Sequence, residues 1–204
     1  MVNVIDERIT HLLTGPIGTN TYVLKNNPVI VIDPGYGVKE FVRGECIVLL
    51  THMHFDHICG LKELKPLRVY ISKTDLNGLR DPKVNKSDLF RNGFSYNGEC
   101  EILPEKIELG EWHFRVIETP GHTMGSVVYA TEKFFFTGDT IFMESIGRTD
   151  FPESDETKML ESLRKLARIF KGVDRKTFVL PGHMEWGFVG DLFEKNCFFK
   201  EALI

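Results

Sequence analysis

The sequence predicts an α/β fold in the form of a four-layer αββα sandwich. Three observations carry the prediction. Apolar, β-branched runs recur through both halves of the 204-residue chain, each half also carries apolar residues at helical spacing, and five of its seven histidines stand just behind the ends of apolar runs. Two strand-rich halves of this kind bury one sheet face against the other and cover their outer faces with helices. The strand ends, and the histidines with them, then gather at a shared edge.

The elements follow in order. Strand signals cover residues 9–13, 22–24, 29–32, 47–50 and 69–71, separated by Gly, Asn and Pro. Behind the fourth run, Ile58, Leu61 and Leu64 return at helical spacing, which predicts a helix with Asp56 and His57 at or near its first turn. The polar stretch 73–98, with a short helix over 72–79, is expected to form a flap beside the site. Strands resume at 106–109, 112–118, 126–130 and 133–137. Met159, Leu160, Leu163, Leu166, Ala167 and Phe170 then form an amphipathic stripe, opened by the cap candidates Ser154 and Asp155 and closed by Gly172. This helix should cover a sheet face. A last strand at 177–180 and a last helix over 189–203 complete the chain, which reads as one domain across 1–204.

Composition narrows the function. A net charge of -4, with scattered basic residues, argues against a nucleic-acid groove. Cys46, Cys59, Cys100 and Cys197 have no paired or metal-type spacing and read as reduced thiols. No leader pattern opens the chain and no apolar stretch reaches the ~18 residues of a membrane span, so a cytoplasmic protein is expected. Its expected partner is a small-molecule substrate, with neither nucleic acid nor membrane.

Residues 51–57 read T-H-M-H-F-D-H, directly behind the apolar run 46–50. Histidines at i and i+2 on a turn can direct two ring nitrogens at one ion, while Asp56 and His57 would face a neighbouring position. Thr119-Pro120-Gly121-His122 and Leu180-Pro181-Gly182-His183 are matched strand–turn–histidine settings, and the run 134–139 presents Asp139 in the same way. Imidazole with carboxylate suits zinc, iron, manganese or cobalt, whereas an all-oxygen calcium site would not recruit five histidines. His52, His54 and His122 on one side, Asp56, His57 and His183 on the other, and Asp139 between them exceed the needs of one tetrahedral ion. Two ions roughly 3.5–4 Å apart, sharing a carboxylate and a water, would lower that water's pKa from about 15.7 to near 7. His11 and His113 lie in predicted strands without ligand-like neighbours and are expected to be ordinary, half-exposed strand residues.

THMHFDHICG, TPGHTMGS, FTGDTIF and LPGH, in this order, resemble the motifs of the metallo-β-lactamase superfamily, and S-I-G-R-T-D-F-P at 145–152 narrows the resemblance to glyoxalase II-like hydrolases. The resemblance implies the same αββα fold and the same two ligand groups bridged by Asp139. The ions expected are two divalent transition metals, zinc first, with iron or manganese as alternatives. Asp33 matches an aspartate that hydrogen-bonds the metal-binding loop from behind, although Asp33-Pro34-Gly35 is also turn chemistry in its own right. The short segment after His183 resembles small single-domain members, without an appended C-terminal helical glutathione-binding domain. The implied reaction is hydrolysis of a thioester such as S-2-hydroxyacylglutathione by a water bridging the ions, with Asp56 and Asp139 holding and orienting it. Arg148 either pairs with Asp150 to hold its loop or grips an anionic substrate group as a planar fork.

Other readings share these residues. A persulfide dioxygenase uses the same ligands on one iron, but Pro181-Gly182-His183-Met184 favours the hydrolase. A lactonase is a further hydrolase option, and against a β-lactamase Asp139 stands where many such enzymes carry cysteine. A binding module without catalysis would leave the complete ligand set unexplained.

Overall fold

Runs that are apolar without alternation need cover on both faces, and the chain arranges two sheets and their helices to supply it. The computed structural model describes residues 2–90 and 93–202. β1 (Val2–Asp6), β2 (Ile9–Thr14), β3 (Thr19–Leu24), β4 (Val29–Ile32), β5 (Glu45–Leu49), β6 (Lys65–Ile71) and β7 (Glu101–Ile102) form the first sheet in sequence order. It is antiparallel from β1 to β4 and parallel from β4 to β7. β8 (Lys106–Leu109), β9 (Trp112–Glu118), β10 (Val127–Ala130), β11 (Phe134–Gly138), β12 (Phe178–Pro181) and β13 (Gly187–Phe188) form the second, again in sequence order. Only β11 and β12 pair in parallel there. The helices are α1 (Phe55–Ile58), α2 (Glu156–Phe170), α3 (Val189–Lys195) and α4 (Cys197–Glu201).

Side-chain alternation sorts these strands into layers. Ile30, Ile32, Ile47 and Leu49 turn inward to meet Phe114, Tyr129, Phe134, Phe136 and Leu180 of the second sheet. Their neighbours Val31, Cys46 and Val48 turn outward, under Ile58 and Leu61 and under Leu79 and Phe94. On the second sheet Phe135, Val128 and Val179 face the α2 stripe of Met159, Leu163, Leu166, Ala167 and Phe170. The order of layers is therefore αββα, as expected. α2 begins where expected too, with the Asp155 carboxylate accepting from Lys158 N at 2.9 Å.

Some elements differ from the sequence reading. β1, β7 and β13 lie outside the expected strands; β7 and β13 are two residues long and carry no readable period. The last helix is broken at Asn196, whose side chain accepts from Phe199 N and donates to the carbonyls of Phe142 and Ser145, so it caps α4 rather than continuing α3. Leu203, the expected end of that helix, lies outside the described residues. The helix expected over 72–79 is a 3₁₀ turn at Leu76–Leu79. Within the 73–98 segment, residues 91 and 92 lie outside the described residues; Leu79 and Phe94 join the outer core, and buried Asn85 accepts from Phe55 N through its carbonyl at 2.8 Å. No described helix is long and apolar enough to cross a membrane.

Candidate metal centre

All seven candidate ligands meet at one edge, and strand direction is the reason. β9 and β11 are both antiparallel to β10, and β12 is parallel to β11, so His122, Asp139 and His183 leave the same edge of the second sheet. Residues 50–54 leave β5 toward that edge, held to the second sheet by Tyr129 Oη donating to Leu50 O at 2.7 Å and by Val127 N donating to Thr51 O at 2.9 Å. Asp56 and His57 follow in α1. Gly182 makes the close approach possible, since a Cβ there would run into Asp139 Oδ1 and the His57 ring.

The ligand atoms fall into two groups, His52 with His54 and His122, and Asp56 with His57 and His183, each with its atoms within 4.8 Å of one another. Asp139 faces both: its Oδ2 is 3.4 Å from His122 Nε2 and 3.6 Å from His183 Nε2, and its Oδ1 is 3.4 Å from His57 Nε2. Asp33, His52 and His57 also cluster, but the Asp33 oxygens already accept from Thr51 N at 2.8 Å, Thr51 Oγ1 at 2.6 Å and His57 Nδ1 at 3.0 Å. Those bonds place Asp33 behind the ligand loop and His57.

The hydrogen-bond partners favour one neutral tautomer for each of the five clustered rings. His54 Nε2 donates to Glu153 Oε1 (3.1 Å), His57 Nδ1 to Asp33 Oδ2 (3.0 Å), His122 Nδ1 to Arg148 O (2.8 Å) and His183 Nδ1 to Gly18 O (3.2 Å). Thr51 Oγ1 spends its proton on Asp33, so at 3.1 Å it can only accept from His52 Nδ1. With one nitrogen of each ring committed as a donor, the other carries a lone pair in the neutral ring, and all five of these nitrogens turn inward. His54 Nδ1 and His122 Nε2 then stand 2.8 Å apart, acceptor against acceptor, and His57 Nε2 lies 3.1 Å from Asp56 Oδ2. Buried His52 Nε2 and Asp139 Oδ1 have no hydrogen-bond partner among the described residues. Orphaned acceptors and opposed lone pairs need a cation between them, and imidazoles fixed from behind in this way are a recurring feature of metal sites. The residues fit a pair of transition-metal ions.

Electrostatics divides the two groups. Burial, reinforced by the rings of His57, His54 and His122, pushes His52 well below its ordinary pKa, and burial lowers His122 to about 4. Both stay neutral, the form that binds metal. Burial also opposes charge on His57, but Asp56, Asp139 and Asp33 outweigh it and raise the ring well above its usual range; His183 is raised by Asp139 and Asp56 against the same burial. Asp56 is held well below the carboxylate range because His57 and His183 outweigh its burial.

Several supporting residues carry no sequence signal of their own. Glu153 holds His54 and is itself held by Lys86 Nζ at 2.7 Å; burial disfavours its charge, yet His54 and Lys86 bring its pKa down to about 2. Thr19 Oγ1 donates to Asp56 Oδ2 at 2.7 Å. Buried Asp75 joins the two ligand loops, accepting from Met53 N at 3.1 Å and Thr123 Oγ1 at 2.8 Å. Each is a single polar residue placed by tertiary packing; only the position of Glu153, just past the 145–152 run, could have marked it.

The remaining expectations divide. His113, expected to be half-exposed, is exposed and lies 3.9 Å from Glu108. His11 is instead buried: it meets Asn20 Oδ1 at 2.7 Å, and Asn20 Nδ2 donates to the carbonyls of Pro181 and Met184 on either side of His183. His11 thus braces a ligand loop at second hand, and alternation within its strand could not show that both faces are covered. Arg148 places its guanidinium on Asp150 in two-point fashion, at 2.6 and 2.7 Å, and over the Phe151 ring at 4.0 Å, while its carbonyl orients His122.

The sequence profile of the Metallo-beta-lactamase superfamily matches residues 14–183. A probable metallo-hydrolase of Streptococcus pyogenes is 33% identical over 186 residues, covering 81% of this chain and 76% of its own. The probable metallo-hydrolase YqgX of Bacillus subtilis is 31% identical, covering 83% of this chain and 86% of its own. Among solved structures, BLEG-1 B3 metallo-beta-lactamase superposes with a TM-score of 0.80 at 30% identity, covering 94% of this chain and 99% of its own. TTHA1623 in a di-iron-bound form gives 0.77 at 25% identity, covering 92% and 98%. With its ligand loops at the shared edge of an αββα sandwich, the chain belongs to the metallo-β-lactamase superfamily.

Proposed function

We propose that the protein is a dinuclear metal-dependent hydrolase of thioesters, of which S-2-hydroxyacylglutathione is the type. The observation that carries this reading is the inward set of five ring nitrogens around Asp56 and Asp139, with His52 Nε2 and Asp139 Oδ1 left without partners among the described residues. His52, His54 and His122 would hold one ion, Asp56, His57 and His183 the other, and Asp139 would touch both. Zinc suits this donor set, and the di-iron form of TTHA1623 supports iron as a second occupant. Bound there, such ions bring the pKa of a water toward neutrality and polarise a carbonyl oxygen.

The chain's own groups do the rest. Asp56 and Asp139 are acceptors that orient the attacking water, with Asp56 steadied by Thr19. Asp33, Glu153 and the carbonyls of Arg148 and Gly18 fix the ring tautomers, so no ligand turns during the reaction. Water adds to the thioester carbonyl, the C–S bond breaks, and a carboxylate, a thiol and a proton result. A thiol with a pKa near 8.5 leaves as thiolate without an acid, which fits a site whose histidines are all committed.

The test is loading with zinc, manganese and iron, followed by elemental analysis and thiol release from S-lactoylglutathione. About two ions per chain and turnover above buffer are expected. Loading that never exceeds one ion removes the dinuclear reading, and absence of cleavage removes the glutathione thioester. BLEG-1 is named a metallo-β-lactamase, so a β-lactam belongs on the same panel.

A further inference from the structure

We infer that the apolar cleft beside Asp56 receives the acyl side chain of the substrate. The site would then prefer thioesters whose α-carbon bears a short aliphatic or phenyl group over those, such as lactoyl, whose α-carbon bears a methyl. This rests on the thioester reading above and deepens it.

The cleft has a volume of about 320 Å³ and is walled by Pro16, Ile17, Tyr36, Phe55, Cys59 and Phe90, with Asp56 as its one charged lining residue among the described residues. Four separate segments build it: the turn joining β2 to β3, the loop after β4, α1, and the segment after β6. Ile17, Tyr36 and Phe90 are 49%, 64% and 41% exposed, so three large apolar side chains stand in water around one opening. Single exposed apolar residues are ordinary, but a contiguous set marks a binding surface. Asp56 belongs both to the cleft wall and to the ligand group with His57 and His183, so the cleft adjoins the reacting centre.

Size and charge decide the occupant. At ~30 Å³ for each small heavy-atom group, the cleft holds about ten such groups. That suits a short chain or a ring and is too small for a helix or a protein segment. Among the described residues the lining is apolar apart from Asp56, so a carboxylate of glutathione placed there would lose hydration with no lining cation to meet it. On the wall beside His54 and His122, Lys86 and Arg148 lie 5.1 and 4.0 Å from the Phe151 ring, paired with Glu153 and Asp150. The charged thiol portion belongs on that wall and the acyl side chain in the cleft.

The experiment uses the full chain loaded with zinc and a series of S-acyl-N-acetylcysteamine thioesters from acetyl to hexanoyl, with S-lactoylglutathione alongside. Burial of each added methylene should raise kcat/KM by about twofold to fourfold. Ile17→Asp and Tyr36→Asp, both at exposed positions, should flatten that dependence, whereas His113→Ala on the distant β9 strand should keep it. A second readout needs neither metal nor turnover. The uncleavable thioether S-hexyl-N-acetylcysteamine should shift the Ile17 methyl resonances saturably and leave those of Leu160 on α2 in place. A flat chain-length profile in the unmodified protein, an unaltered slope in both aspartate variants, or no Ile17 shift overturns the inference. If the thioether shifts Ile17 while no thioester is cleaved, the cleft stands as an apolar-ligand site and the reaction reading falls. If S-lactoylglutathione is cleaved with a flat profile and no shift, the reaction stands and the cleft assignment falls.

Discussion

Asp33→Asn isolates the support behind the metal centre from the ligands themselves. Asp33 has φ 52, a left-handed conformation that asparagine adopts as readily as aspartate, so the backbone is spared. The side chain is buried and its two oxygens accept three hydrogen bonds, from Thr51 N, Thr51 Oγ1 and His57 Nδ1. In the variant, the amide oxygen can keep His57 and Thr51 Oγ1, but its NH₂ then meets the Thr51 N–H, donor against donor. An unsatisfied buried donor costs about 1–3 kcal/mol. In a chain of this size each kcal/mol lowers Tm by roughly 2–4 °C. His57 loses its charged partner, and affinity at the Asp56–His57–His183 group should fall about 10–100-fold, the usual consequence of removing a carboxylate behind a ligating histidine. Chelator competition with two resolvable binding steps, together with thermal melts, measures both effects. Wild-type affinity for both ions with an unchanged Tm would refute the claim that Asp33 fixes His57.

Three further outcomes are expected. Asp139→Ala should abolish hydrolysis and weaken at least one ion, while His113→Ala changes neither; equal losses in the two would point to folding damage instead of a bridging role. Glu153→Ala should free His54 Nε2 and weaken the His52–His54–His122 group about 10–100-fold, and an unaltered cobalt spectrum and affinity would remove Glu153 from the centre. Arg148→Ala should raise KM for S-lactoylglutathione more than it lowers kcat, the pattern of lost uniform binding; a fall in kcat at constant KM would assign the Arg148–Asp150 pair to holding the loop.

What the sequence made legible follows from what repeats. β5 and β11 are continuous apolar runs because both faces are covered, and α2 shows its stripe because one face is; both patterns survive in the linear chain. The ligands were visible because they follow those runs at short, regular distances. Glu153 reaches His54 across 99 positions and Asp75 reaches Thr123 across 48, so no local spacing announces either. Asn196 looked like one more residue of a helix, and only its contacts with Phe142 and Ser145 explain the break there. β13 has no period to read at two residues, and burial of His11 depends on a partner strand that its own alternation does not describe.

The first sheet is made wholly from residues 2–102 and the second from residues 106–188, yet neither ligand group is complete within one of them. His54 and His122 are 68 positions apart, His57 and His183 126. Each half can form its own hairpins and parallel pairs from neighbouring segments, but a full coordination set exists only once the two sheets have met in the correct alignment. Metal capture would therefore be a readout of sheet docking, a long-range event in assembly. A chain docked out of register would keep its strands and be unable to retain the ions, so metal retention during refolding would count correctly assembled molecules directly.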